Sequence, residues 1–202
     1  MRIYVDIDDV VSETARSLAA LCFELYGKRI AYEDIFVFDL QTAFGLSKAE
    51  IDALMEVAHS REKILSYPET PGASETLRKW IREGHDIEVV TGRPFLTAGP
   101  TREWLAARGL AALPVLHVDK FGREPPPPFP GAPRSLTVDE FCRRRYDFAV
   151  EDSPAALAHL SHIPGCRVAV FSRPWNAKAE FPSPAFTRCP GWTAIDALLH
   201  QK

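Results

Sequence analysis

The sequence predicts an α/β protein: a parallel sheet covered by helices, with a helical segment inserted after the first strand. Three observations predict it. Five short apolar runs, at residues 3–5, 87–90, 115–118, 148–150 and 168–171, alternate with helical patterns, as a helix-covered parallel sheet requires. A length of 202 residues suffices for a full core and exceeds one small compact unit. About eighty residues separate the first two runs, far more than one crossover helix needs.

The first run starts almost at the N-terminus, has the length of a buried strand and closes on acids; a helix over about 13–26 follows. Ser47 and Glu50 form a capping box opening a helix to about residue 60, and the stretch 32–44 carries Phe36, Phe38 and Phe44. Residues 13–71 therefore read as a small helical subdomain, set into a core of 1–12 and 72–202. Gly84 and Gly109 read as helix stops around the second strand and around a helix starting at Thr101. Six prolines between 121 and 133 predict a stiff extended loop. Thr137 with Glu140 opens a further helix, and 179–190 reads as irregular wrapping before a last helix over about 193–200.

Composition narrows the function. An apolar fraction of 46% and a charged fraction of 25% are ordinary for globular proteins, and a net charge of −3 argues against a nucleic-acid polymer as partner. Cys22, Cys142, Cys166 and Cys189 form no CxxC pair, so reduced, buried thiols are expected. No apolar stretch approaches the ~20 residues that span a bilayer, and acids follow the first five residues where a signal peptide would be apolar. A cytoplasmic protein without a membrane partner is the expectation. His159 and His162 lie three apart on a predicted helix without a third ligand, and read as surface or packing residues.

Chemistry concentrates at strand ends. Asp6 and Asp8 are two apart, so on an extended backbone they face the same way, at the strand end where open α/β sheets bind ligands. One could attack while the other handles protons; alternatively Asp8, Asp9 or Ser12 caps the next helix. Thr91 and Gly92 end the second strand, where a hydroxyl and a closely approachable N–H can meet a phosphate oxygen. Glu151 and Asp152 end the fourth. Two acidic strand ends in one parallel sheet converge and repel unless a cation joins them, and an all-oxygen donor set points to magnesium.

In this order the residues resemble the four motifs of the haloacid dehalogenase superfamily of phosphohydrolases: Asp6-Ile7-Asp8-Asp9-Val10, the strand-end Thr91, a lysine, and Glu151-Asp152. The resemblance implies a three-layer Rossmann-like core with sheet order 5-4-1-2-3 and identifies the insert as a cap. It makes Asp6 the nucleophile of an aspartyl-phosphate and Asp8 the general acid and then base, and it places Mg2+ on Asp6, the Asp8 carbonyl and Asp152, with Glu151 reaching it through water. Asp8 itself favours phosphoryl transfer over carbon–halogen cleavage, because a departing alkoxide needs a proton and a halide does not. Lys120, the only lysine between Lys79 and Lys178, is the choice for the third motif, although it stands 31 residues before Glu151; Arg143, Arg144 or Arg145 could substitute.

Within the superfamily the chain is most similar to cytosolic C-type 5′-nucleotidases, through the turn at 89–94, the segment 150–154 and residues 172–176. The similarity implies a small phosphorylated metabolite, a nucleoside monophosphate, as substrate. Asp9, Gly92 and Arg93 would line the substrate site, and Phe36, Phe38 or Phe44 could stack a base, although a phenylalanine stripe also serves as a cap's own core. Arg93 could equally pair with a local acid, and Trp175 could line the cleft or pack. Two alternatives stand beside this reading. One is a phosphatase for another ester, or a phosphotransferase or mutase, sharing the same motifs. The other is a non-catalytic ligand-binding protein, supported solely by the Lys120 spacing.

Overall fold

The structure, a computed structural model, describes every residue except 121, 123–128, 130, 182–184 and 202. Most of the expected proline-rich loop therefore lies outside the described residues. Six strands form one all-parallel sheet: β1 (Arg2–Asp6), β2 (Asp86–Thr91), β3 (Val115–His117), β4 (Phe148–Glu151), β5 (Arg167–Phe171) and β6 (Phe186–Cys189), in the order β3-β2-β1-β4-β5-β6. Read from its other edge, the order of the first five is the expected 5-4-1-2-3. The sixth is a correction. Residues 186–189 were expected to be irregular but pair with β5, and they escape a sequence reading because this outermost strand leaves Thr187 and Arg188 exposed and so carries no apolar run.

Both sheet faces are covered, and side-chain alternation along each strand decides what each face buries. Ile3 and Val5 of β1, Ile87 and Val89 of β2, and Phe148 and Val150 of β4 join one apolar cluster with α5 (Ala73–Arg82), α6 (Ala98–Ala106) and α9 (Trp192–Leu199). Tyr4, Val90, Ala149, Val168 and Val170 point to the other face, against α7 (Val138–Cys142) and α8 (Pro154–Leu160). In α5, Ala73, Leu77 and Trp80 recur at helical spacing and are fully buried; Trp80 packs edge-on to Trp192 at 5.7 Å and donates its indole N–H to Asp196 of α9 at 2.8 Å. Helix α6 starts at Ala98 rather than Thr101, which places Pro100 in the first turn, where its missing N–H removes no helical hydrogen bond. Both expected capping boxes form, at Ser47–Glu50 and Thr137–Glu140.

Between β1 and α5 lie α1 (Thr14–Tyr26), α2 (Leu40–Phe44), α3 (Lys48–Ala58) and α4 (Arg61–Ser66). The first three enclose their own apolar cluster, with Leu18, Leu21, Ile35, Phe44 and Leu54, into which Trp175 inserts from the loop after β5. Helix α4 behaves differently: Ile64 joins the main core. The two connections to the insert run side by side, with the Glu13 N–H donating to the Pro68 carbonyl at 2.9 Å and the Thr70 N–H to the Val11 carbonyl at 2.8 Å. No helix among the described residues is long and apolar enough to cross a membrane.

Candidate active site

The carboxyl ends of β1, β2 and β4 sit together because β1 pairs with both neighbours in parallel, Asp6 opposite Val90 and Val5 opposite Val150. This is the switch point of an open α/β sheet, where helices leave on opposite faces. Asp6, Glu151 and Asp152 are buried there and each offers a carboxylate oxygen, all within 4.8 Å of one another.

Lys120, 31 residues upstream of Glu151, reaches this cluster. Its ammonium donates to Asp6 Oδ1 at 2.5 Å, to Tyr4 Oη at 2.9 Å and to Glu151 Oε2 at 3.1 Å, using all three of its protons. Burial alone would pull the Lys120 pKa down, but Asp6 and Glu151 together hold it above the usual lysine range. Arg144 is engaged elsewhere, with Glu88 at 2.5 Å, and Arg143 and Arg145 are exposed. The basic run is therefore no substitute for Lys120.

Sequence reasoning missed Tyr4. A tyrosine inside an apolar strand reads as core, yet it lies two residues before Asp6 and so shares its face. Its hydroxyl donates a short hydrogen bond to Glu151 Oε2 while accepting from Lys120. The other oxygen of Glu151 accepts the Asp152 and Ser153 N–H groups at 3.0 and 2.9 Å, so protein donors engage both carboxylate oxygens.

Asp152 is fixed by Trp175, whose indole N–H donates to Oδ2 at 2.9 Å, and by the buried Asn176, whose amide donates to the Asp152 carbonyl at 2.8 Å. Burial, then Glu151, Asp9 and Asp6, push the Asp152 pKa well above the usual range; burial and Glu151 do the same to Asp6, against the pull of Lys120. A divalent cation between these carboxylates would relieve both, and hard oxygen donors suit magnesium. The donor set fits.

Asp8 stands apart from that cluster. Arg93 grips it, Nη2 to Oδ1 at 2.7 Å and Nε at 2.9 Å, while the Thr14 hydroxyl donates at 2.7 Å and Thr91 at 3.2 Å. Burial raises the Asp8 pKa, but the Arg93 charge and these hydrogen bonds outweigh it and hold the pKa below the usual range. The Thr91 hydroxyl, which also accepts the Arg93 N–H at 3.0 Å, and the Arg93 fork both serve Asp8 in this conformation, with Gly92 half-buried between them. One Arg93 nitrogen, Nη1, and the Ser153 hydroxyl are buried with no protein hydrogen-bond partner.

Asp9 adopts φ 57°, alone among described non-glycine residues, and both its oxygens accept the Ala15 N–H, at 2.9 and 3.2 Å. It thus anchors the start of α1, as the capping alternative anticipates, and burial raises its pKa to about 7. Of the three insert phenylalanines, Phe44 is 1% exposed inside the insert's own core and cannot stack a ligand there; Phe36 and Phe38 are 65% and 38% exposed, and Phe38 meets Trp175 edge-on at 6.4 Å.

No family model matches the chain. Over 209 residues, spanning all of both chains, it is 23% identical to a Bacillus cereus protein provisionally named a nucleotidase. Among solved structures it superposes on a haloacid dehalogenase-family hydrolase from Deinococcus radiodurans holding phosphate and sodium, with a TM-score of 0.57, 15% identity, and coverage of 98% of this chain and 92% of that one. The chain carries the haloacid dehalogenase fold. A provisionally assigned hydrolase of the same fold from Bacillus subtilis, bound to magnesium and described with interdomain movement, gives a TM-score of 0.56 at 15% identity over 99% of this chain and 98% of that one. The expected fold class therefore stands.

Proposed function

We propose that this protein is a magnesium-dependent phosphatase that hydrolyses a small phosphomonoester through an aspartyl-phosphate on Asp6, with 5′-nucleotides as the substrate class. One observation carries the reading: Lys120 meets Asp6 and Glu151 at the carboxyl ends of β1 and β4 despite its distance in sequence. The same contact removes the support for a non-catalytic protein, which rested on that distance.

In this reading Asp6 Oδ attacks phosphorus, the bond to the leaving oxygen breaks, and Asp8 supplies the proton that the departing alkoxide needs. Asp8 then takes a proton from water, which attacks the phosphoryl group and returns Asp6 and inorganic phosphate. Lys120 balances charge on the transferring oxygens and separates Asp6 from Glu151. Magnesium, held by Asp6 and Asp152 with the Asp8 carbonyl, would supply charge neutralisation on the phosphoryl group. Glu151, whose oxygens already have protein donors, acts from behind.

The Arg93 clamp adds a condition. While Arg93 and Thr91 hold it, Asp8 is a carboxylate, suited to the water step; donating a proton requires it to leave Arg93 and turn toward Asp6. We read residues 13–71 as a cap whose paired connections form the hinge, with Phe36 and Phe38 facing the substrate. The Bacillus cereus relative's name and these exposed rings support the nucleotide assignment.

Phosphate release from nucleoside monophosphates, sugar phosphates and an aryl phosphate, with magnesium and with chelator, tests the proposal. Magnesium-dependent release peaking on nucleotides is expected. Release favouring sugar phosphates overturns the nucleotide assignment alone, and release unaffected by chelator overturns the metal.

A further inference from the structure

At the opposite, amino-terminal end of the strands a second group of metal-ligating side chains converges: Glu83 just after α5, His85 just before β2, and His200 just after α9. Both imidazoles point at one carboxylate oxygen. His200 Nε2 lies 3.3 Å from Glu83 Oε2 and His85 Nε2 lies 3.6 Å from it.

The ring of His200 has a defined orientation. Its Nδ1 is 2.7 Å from the Asp196 carbonyl, which only accepts hydrogen bonds, so Nδ1 carries a hydrogen. Nε2, the other ring nitrogen, then faces the Glu83 carboxylate oxygen, and either a proton or a metal cation can join the two. An Nδ1–H held by a carbonyl is also how metal-ligating histidines are commonly oriented. The spacing suits a metal: donors about 2.0–2.1 Å from a tetrahedral zinc lie about 3.3–3.4 Å apart.

We propose that Glu83, His85 and His200 bind a divalent late first-row cation, zinc in the first instance, in a His2Glu set with the fourth position open to water. Two imidazoles select such a cation over magnesium. The Met1 amine, 3.4 Å from His85 Nδ1, and Lys79, 3.8 Å from Glu83 but closer to Asp196 at 2.6 Å, are the positive groups that oppose it. The bound ion would tie α9 to the corner between α5 and β2, remote from Asp6.

The test uses the full chain purified without a histidine tag, stripped with chelator and kept in excess magnesium so that the acids at the other end are occupied. Calorimetric titration with zinc is expected to show one equivalent bound at micromolar protein and a melting temperature that rises with zinc. Cobalt should give the intense visible bands of tetrahedral coordination. The variant His85→Gln/His200→Gln should lose all three signals, whereas Asp6→Asn should keep them. No zinc binding by the unmodified chain, binding unchanged in the double variant, or binding lost in Asp6→Asn would each overturn the proposal.

Discussion

Glu88 and Glu151 are both buried glutamates on the same sheet face, each hydrogen-bonded to a tyrosine and to a cation, yet their surroundings treat charge oppositely. Glu88 meets Arg2 at 2.7 Å, Arg144 at 2.5 Å and the Tyr146 hydroxyl at 2.8 Å, two positive groups for one negative. Burial raises its pKa, but these hydrogen bonds and charges outweigh it and hold it below the usual glutamate range. Glu151 shares a single lysine with Asp6 and lies beside Asp152, where the pull of Arg173 does not offset burial and the neighbouring carboxylates, and Asp6 and Asp152 are pushed up instead. A compensated cluster stabilises the fold; an undercompensated one, held in place by Trp175 and Asn176, marks where a cation and an anionic substrate would complete the balance.

The comparison breaks most sharply at Asp6. Asp6→Asn should lower phosphate release by about three orders of magnitude or more, as removal of a covalent nucleophile does. Because burial and Glu151 disfavour the Asp6 charge, the same variant should melt no lower than the unmodified chain without magnesium; a clearly lower melting temperature would say that the cluster is as balanced as the one at Glu88.

Arg93→Met should cost roughly 10²-fold at neutral pH by releasing Asp8, a loss typical of a displaced acid–base group. With its cation gone the Asp8 pKa rises, so the step that needs its carboxylate should fail at higher pH than before. A pH profile of kcat with an unmoved acid limb would disconnect Arg93 from Asp8. Tyr4→Phe keeps the ring packed against Phe141 and Tyr146, both 5.6 Å away, and removes the oxygen between Lys120 and Glu151. We expect about a tenfold weaker magnesium dependence, read as the metal concentration for half-maximal release, in line with one hydrogen bond to a charged group.

The smallest effect on turnover, within about twofold, belongs to Glu88→Gln, which should act on stability instead. About 2 kcal/mol is expected, less than for a fully buried pair because the side chains of Arg2 and Arg144 are 38% and 27% exposed. A carboxyl with a depressed folded-state pKa stabilises above its unfolded pKa, and that contribution is lost as pH falls through the folded value. Denaturation at falling pH should thus be steeper for the unmodified chain than for Glu88→Gln.

Much of the architecture was legible because strand and helix periods differ. The five apolar runs became β1 to β5, and Ser47 and Thr137 announced their helices three residues ahead of Glu50 and Glu140. Strand β6 was not legible, because pairing on one side alone leaves Thr187 and Arg188 polar. Of the site, Asp6, Thr91, Glu151 and Asp152 were readable from strand ends, Lys120 as the lone lysine just after the third strand, and Arg93 as able to pair with a nearby acid, but which acid, and the role of Tyr4, were not. Tyr4 looks apolar in sequence, and Arg93 shows its attachment to Asp8 only once β2 lies beside β1. Phe44 could not be told from Phe36 and Phe38 before folding, since all three occupy one stretch and packing alone decides which is buried. His85 and His200 are far apart in sequence and meet only because α9 returns to the end of α5.

The central claim is tested most directly by acid-quenching the protein during turnover of a phosphomonoester with magnesium and weighing the peptide that carries Asp6. A phosphoryl group on Asp6, absent with chelator and absent from Asp6→Asn, is the predicted result. Sustained phosphate release with Asp6 unmodified, and undiminished in Asp6→Asn, would contradict it.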